Sequence, residues 1–364
     1  MLIQEIVSSL EKFAPLHYAE DFDNVGLLTG SLKWEATGIL VTLDTLEEVV
    51  DEAIEKDCNL IVSFHPIIFS GLKKLTGENY IEKAILKAIK NDVAIYAIHT
   101  ALDNHFQGVN DVISEKLNLK NRKILIPKSG TIKKLISFVP NQNAIVLRNA
   151  LFDAGAGNIG NYENCSFSTE GTGSFKGNEQ SNPKVGEKGK LHLENEVQIG
   201  VTFAKHLESK ILKALFENHP YEEVAYEVTT LENQNQKIGM GMIGELELVM
   251  KEKDFLEFVQ KKFQTGCIRH SAFLGKPIKK VAVLGGSGSF AIENAKRAGA
   301  DVFLTSDLKY HDFYKAEEKL VLADIGHYES ERYTKNLLHT YLTKNFPNFA
   351  VVLSNTNTNP IKYF

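Results

Sequence analysis

A chain of 364 residues, 43% hydrophobic and 24% charged, has the make-up of a soluble globular protein and is long enough for two or three domains. A net charge of −5 gives no basic footprint for nucleic acid, and no run approaches the roughly 20 apolar residues of a membrane span. Cys58, Cys165 and Cys267 are too few and too scattered for a disulfide framework, so a reducing cytoplasm is the expected compartment.

The opening MLIQEIVSSLEKFAP carries acidic residues early and apolar residues at helical spacing, which predicts a structural helix over residues 3–13 and not a signal peptide. GILVTLD (38–44), NLIVS (59–63) and VAIYAI (93–98) are short apolar strands, separated by helical stretches through residue 56 and over about 80–90. That alternation predicts a parallel sheet. From Ser129 to about Gln236 the chain is richer in Gly, Asn and Ser. There TIKKLISFVP (131–140) and LHLENEVQIGVTF (191–203) alternate like half-exposed strands, with helical patterns around 143–154 and 205–218. The last third returns to the opening style with KKVAVLGG (279–286), DVFLTS (301–306) and LVLADI (320–325). A long amphipathic helix follows over about 328–345, and AVVLS (350–354) closes the sheet. The expected architecture is α/β: two similar halves, 1–126 and 237–364, form one core, and an α+β domain spans 127–236.

The halves share an internal repeat. VTLD (41–44) answers to VLGGS (283–287), LIVSFH (60–65) to VFLTSD (302–307), and AIHTALD (97–103) to DIGHYESE (324–331). The last pair sets a histidine four residues before a carboxylate twice, as His99 with Asp103 and His327 with Glu331. Coincidence in a regular α/β chain is the competing explanation.

His65, Asp103, His327 and Glu331 each fall just past a predicted strand end, where open α/β sheets bind ligands. Imidazole with carboxylate suits zinc, iron or manganese better than calcium, and without thiolates a closed structural zinc site is not expected. Taken singly, each has a plainer role, as a turn, a helix cap or a surface residue. His311 in DLKYHDF shares the strand-end address and can carry protons near neutral pH. In GGSGSF (285–290), Gly285, Gly286, Ser287 and Gly288 suit either an anion cradle or a tight turn needing glycine. Asp21 and Asp23 in DFDNVGLL read as a loop with Asx turns, and Asp44 as a residue supporting the site. HPYEEVAYEV (219–228) reads as the entry to a strand.

DFDNVGLL, SFHPIIFSGLKKLT, AIHTALDNHFQGVND, TSDLKYHDF, DIGHYESE and NTNTNPIKYF resemble the GTP cyclohydrolase 1 type 2 homologues, also called the NIF-three-like family. HPYEEVAYEV and GAGNIGNYENCSF resemble the ferredoxin-like, PII/CutA-like insertion of that family's longer bacterial members. The resemblance implies a dinuclear metal site between two α/β halves and a toroidal homohexamer built as a trimer of dimers. Carried over by position, His65 and Asp103 would bind one metal, His327 the other, and Glu331 would bridge. Phe64 departs from the family's usual His-His-Pro, which leaves one or two metals per chain open; the repeat nominates His99 as a substitute donor. The family name implies hydrolysis of the guanine ring of GTP, with His311 or His99 as proton carriers and the GGSGSF loop on the triphosphate. The broader expectation is a metal-dependent hydrolase of a nucleotide or related small molecule. The alternative is a non-enzymatic, metal-binding regulatory or interaction protein with a PII-like sensor.

Overall fold

The structure, a computed structural model, describes residues 1–363. It divides into two units: residues 1–127 together with 236 onward, and Lys128–Asn235.

The first unit is built on two sheets. One has the order β1 (Gly26–Thr29), β4 (Ala94–Ala97), β3 (Leu60–Ser63), β2 (Ile39–Thr42) and β15 (Val351–Leu353). The other has the order β11 (Arg269–His270), β14 (Val321–Asp324), β13 (Val302–Ser306), β12 (Ile278–Ser287), β10 (Asn235–Met250) and β5 (Lys120–Lys128). In each, three parallel strands wind in the same sequence and a short antiparallel strand flanks the third: β1 on β4, β11 on β14. The repeated strand ends thus sit at matching places in matching topologies.

Strands β2, β3, β4, β13 and β14 are buried at every residue, because both faces of each sheet are covered. One face of each sheet meets a common core: Val41, Val62 and Tyr96 from the first, Val283, Leu304 and Ala323 from the second. The outer face of the first sheet packs on α2 (Glu47–Glu55) and α3 (Tyr80–Lys90), that of the second on α9 (Ile292–Arg297). Helix α1 (Ile3–Phe13) buries Ile3, Ile6, Val7 and Leu10, one stripe at 3.6-residue spacing. Each such side chain contributes about 1.5–3 kcal/mol when fully buried.

The closing strand departs from expectation. Segment 350–354 does not extend the second half's sheet; β15 pairs in parallel with β2 of the first, Val352 opposite Leu40. The chain behind it is pinned by Glu52, whose carboxylate accepts hydrogen bonds from the Ser354 hydroxyl at 2.6 Å and the Asn355 amide at 2.9 Å.

The second unit runs β6 (Ile132–Pro140), α6 (Ala144–Asp153), β7 (Phe167–Phe175), β8 (His192–Ala204), α7 (Glu208–Asn218) and β9 (Tyr226–Leu231). Its sheet order is β7-β8-β6-β9, with every neighbouring pair antiparallel. This βαββαβ order is the ferredoxin-like arrangement. Val197, Ile199, Val201 and Phe203 of β8 face the helices with Leu147, Leu151, Ile211 and Leu215.

Candidate metal centre

Two five-residue helices follow the third parallel strand of each half. Helix α4 (His99–Asp103) follows β4, and α10 (His327–Glu331) follows β14. One helical turn sets residues i and i+4 on the same face, so each short helix presents a histidine together with a carboxylate. Gly326 enters α10 at φ +91°, and a Cβ there would overlap the Glu329 carboxylate, so glycine is required.

The ligand-capable atoms of His65, His327 and Glu331 lie within 4.8 Å of one another. His65 Nε2 and His327 Nε2 approach Glu331 Oε2 at 3.1 and 3.0 Å. Neither approach is aligned as a hydrogen bond, and this buried oxygen has no donor among the described residues. Two imidazole Nε2 atoms converging on a carboxylate oxygen that lacks an aligned donor form an arrangement that a cation, displacing their protons, would complete.

Both imidazoles are held from behind. His65 Nδ1 bonds Asp44 Oδ1 at 2.7 Å, and Asp44 Oδ2 accepts from the Thr358 hydroxyl at 2.5 Å. His327 Nδ1 bonds Asp307 Oδ2 at 2.7 Å, and the Ser287 hydroxyl donates to the same oxygen at 2.5 Å. A carboxylate on Nδ1 fixes the ring and leaves Nε2 as the atom that can face a metal.

The electrostatics describe a site short of positive charge. Burial would lower the His65 imidazole, but Asp44 and nearby Glu331 raise it to about 10. His327, opposed likewise by burial, is raised by Glu331 and Asp307 to about 11. Burial would raise Glu331, yet His327 and His65 hold it well below the carboxylate range. Asp103 goes the other way: burial first, then the charge of Glu331, holds its carboxyl well above the ordinary value. Its Oδ1 is also buried without a hydrogen-bond partner. Asp103 therefore stands beside the trio and within its field. Two imidazoles and two carboxylates fit a zinc-, iron- or manganese-like ion by donor chemistry.

His99 packs edge-on to His65, ring centroids 5.2 Å apart. Its Nδ1 bonds Asp23 Oδ1 at 2.8 Å, and Asp23 Oδ2 also accepts from the Thr100 amide at 3.0 Å. Asp23 is thus a third imidazole-holding aspartate, one the local pattern of DFDNVGLL did not disclose. Phe64 is fully buried, with its ring 4.8 Å from that of His65 and 5.5 Å from that of His99. It forms an apolar wall where a ligand was expected from the family pattern.

His311 is exposed, and its ring contacts are with Tyr310 and Tyr314. In the glycine segment, the Gly285 amide donates to Asn110 Oδ1 and the Gly286 amide to Ser330 Oγ, both at 3.0 Å. Those two donors are already used within the chain. A Cβ on Gly286, at φ +69°, would overlap Glu331 Oε1, and one on Gly288 would overlap the Thr305 hydroxyl. Close approach of β12 to α10 accounts for Gly286, and close approach to Thr305 of β13 accounts for Gly288.

A duplicated α/β core with a histidine–glutamate cluster at its strand ends defines a class of protein with a candidate metal centre. The chain belongs to the Duf34/NIF3 (NGG1p interacting factor 3) family, which it matches over residues 1–360. It is 40% identical to the "GTP cyclohydrolase 1 type 2 homolog" of Bacillus subtilis, over 99% of this chain and 98% of the relative. The protein of that name from Staphylococcus epidermidis is 36% identical over all of both chains. Among solved structures, a Bacillus cereus protein related to NIF3 is similar at a TM-score of 0.84 and 39% identity, covering 100% of this chain and 99% of that one.

Proposed function

We propose that His65, Asp103, His327 and Glu331 hold one or two divalent transition-metal ions, with Glu331 shared, and that the centre serves a hydrolase acting on a nucleotide or related small molecule. The observation that carries the reading is the convergence of two aspartate-held imidazoles on a Glu331 oxygen that lacks a donor. A metal so held would polarise a substrate oxygen and make water a nucleophile near neutral pH. Asp44 and Asp307 orient the imidazoles, and His99, held by Asp23, stands beside His65 where it can move a proton. His311, on the exposed segment after β13, is a second proton carrier in this reading. GTP is the first substrate to try, since the relatives' printed name refers to it.

The finer assignments rest on family resemblance for a PII/CutA-like role of the inserted unit and assembly as a homohexamer, and on the few scattered cysteines for a place in the cytoplasm. Among the described residues, no helix is long and apolar enough to cross a membrane. Metal analysis of freshly purified protein, paired with a nucleotide turnover screen before and after chelation, tests the reading. Bound zinc, iron or manganese and a hydrolysis lost on chelation and regained on metal return are expected. Metal without any turnover would favour the regulatory alternative; absence of metal would overturn the site. Light scattering reads the assembly directly, and a monomer would refute the hexamer.

A further inference from the structure

The face of the second unit's sheet that is turned away from its helices holds a cavity of about 560 Å³. Strand alternation creates it. On β8, Val197 and Ile199 point into the helix-covered core, so Glu196 and Gln198 point to the opposite side and line the cavity. Phe138 of β6, Phe175 of β7 and Tyr221, which follows α7, supply aromatic walls. The segment joining β7 to β8 lines the cavity with Ser181, Pro183 and Lys184. That segment is tied down, since the Asn182 amide donates to Glu222 Oε1 at 2.6 Å. The volume is that of an ordinary small-molecule site.

Inside it, Glu196 is a carboxylate only 8% exposed. Its Oε1 accepts the Tyr221 hydroxyl at 2.8 Å. Burial, then that bond, holds the Tyr221 phenol well above its ordinary value, so it remains a neutral donor. Oε2 lies over Gly173, where a Cβ would overlap it, and accepts no hydrogen bond among the described residues. One phenol supplies only one of the several donors the two carboxylate oxygens can accept, and Oε2, which is not sealed from solvent, is left open to a donor from a bound ligand. Lys176 and Lys184 also line the cavity, but no ion pair joins either to Glu196 among the described residues.

We infer that this cavity binds a planar nitrogen group with two adjacent N–H donors, which Glu196 receives beside the aromatic walls of Phe138, Phe175 and Tyr221. A guanine-type base and a guanidinium share that donor pair; the first is neutral, the second a cation. The site lies wholly within residues 128–235 and is independent of the metal-centre reading.

Full-length protein would be titrated calorimetrically with guanosine, with inosine, which lacks the exocyclic amine, and with agmatine, an alkyl guanidinium. Binding of guanosine or agmatine is expected, with inosine at least tenfold weaker than guanosine if the base is what binds. Glu196→Gln keeps the shape but places an N–H₂ against the ligand donors, so it should weaken binding at least tenfold. Tyr221→Phe should weaken it less. Thermal melts and metal content, read on the same samples, report whether a variant has folded. If neither guanosine nor agmatine binds at low millimolar concentration, the proposal fails. It also fails if inosine binds as tightly as guanosine, or if folded Glu196→Gln binds like the parent. Metal content unchanged through any of these failures would leave the metal centre standing.

Discussion

His65 and His327 are aimed by aspartates that never touch the shared Glu331 oxygen, so Asp44 and Asp307 control the centre from behind. Asp44→Asn and Asp307→Asn should each lower metal affinity about 10- to 100-fold with little loss of fold, as competition with a chelator would read. The imidazoles also set the pH response. In metal-free protein they are held at about 10 and 11, above the roughly 6.5 of an unfolded histidine. A histidine raised on folding stabilises fully below pH 6.5, and that stability is lost as pH climbs toward about 10. Metal must displace the same protons, so its affinity should rise over that interval. Thermal melts with chelator and with metal should therefore slope in opposite directions from about pH 6.5 upward; parallel slopes would mean that these imidazoles are not the ligands. Phe64 supplies a further test. Phe64→His adds a nitrogen donor beside His65 and should raise the metal count per chain. If His99 already fills that role, Phe64→His changes little and His99→Ala empties one site. Two tightly held metals in the parent, untouched by the loss of His99, would refute both versions.

The elements determine how closely the ligands meet. Strand β12 passes α10 so tightly that the α-carbon of Gly286 faces Glu331, and its φ of +69° favours glycine. Gly286→Ala should displace the Glu331 carboxylate and remove most bound metal, while costing about 1–3 kcal/mol through the strained backbone; full metal occupancy in that variant would show that the close approach is dispensable. These contacts also mark the limits of what pattern could disclose. The apolar runs of β2, β3, β4, β12, β13 and β14 stood out because both sides of each sheet are covered, and their ends pointed to His65, His327 and Glu331. The partner of β15 did not, because an apolar run reveals burial and not its neighbour; β2 lies some 300 residues earlier in the chain. Strand β10 was hidden by Gly239, Gly241 and Gly244, which break the alternation a strand displays. Asp23 was missed for want of any local signal linking it to His99, 76 residues away.

At the scale of the whole molecule, the repeat organises both halves of the first unit around one apolar core, and the proposed metal ligands come from both: His65 and Asp103 from the first, His327 and Glu331 from the second. The centre therefore depends on the halves staying together, and not on residues 128–235, which supply none of its ligands or orienting aspartates. The chain leaves the first unit at the end of β5 and returns at the start of β10, and these are neighbouring strands of one sheet. Neighbouring strands lie about 4.8 Å apart, a gap that a short turn spans. Replacing residues 128–235 by a Gly-containing turn should therefore yield a soluble protein that binds metal with the parent's stoichiometry. It should also lose all affinity for guanosine and agmatine, because Glu196 and its aromatic walls leave with the deleted segment. Retained metal with lost ligand binding would establish the two sites as separate devices in one chain. A deletion variant that fails to fold or to hold metal would instead make the insertion part of what keeps the halves together.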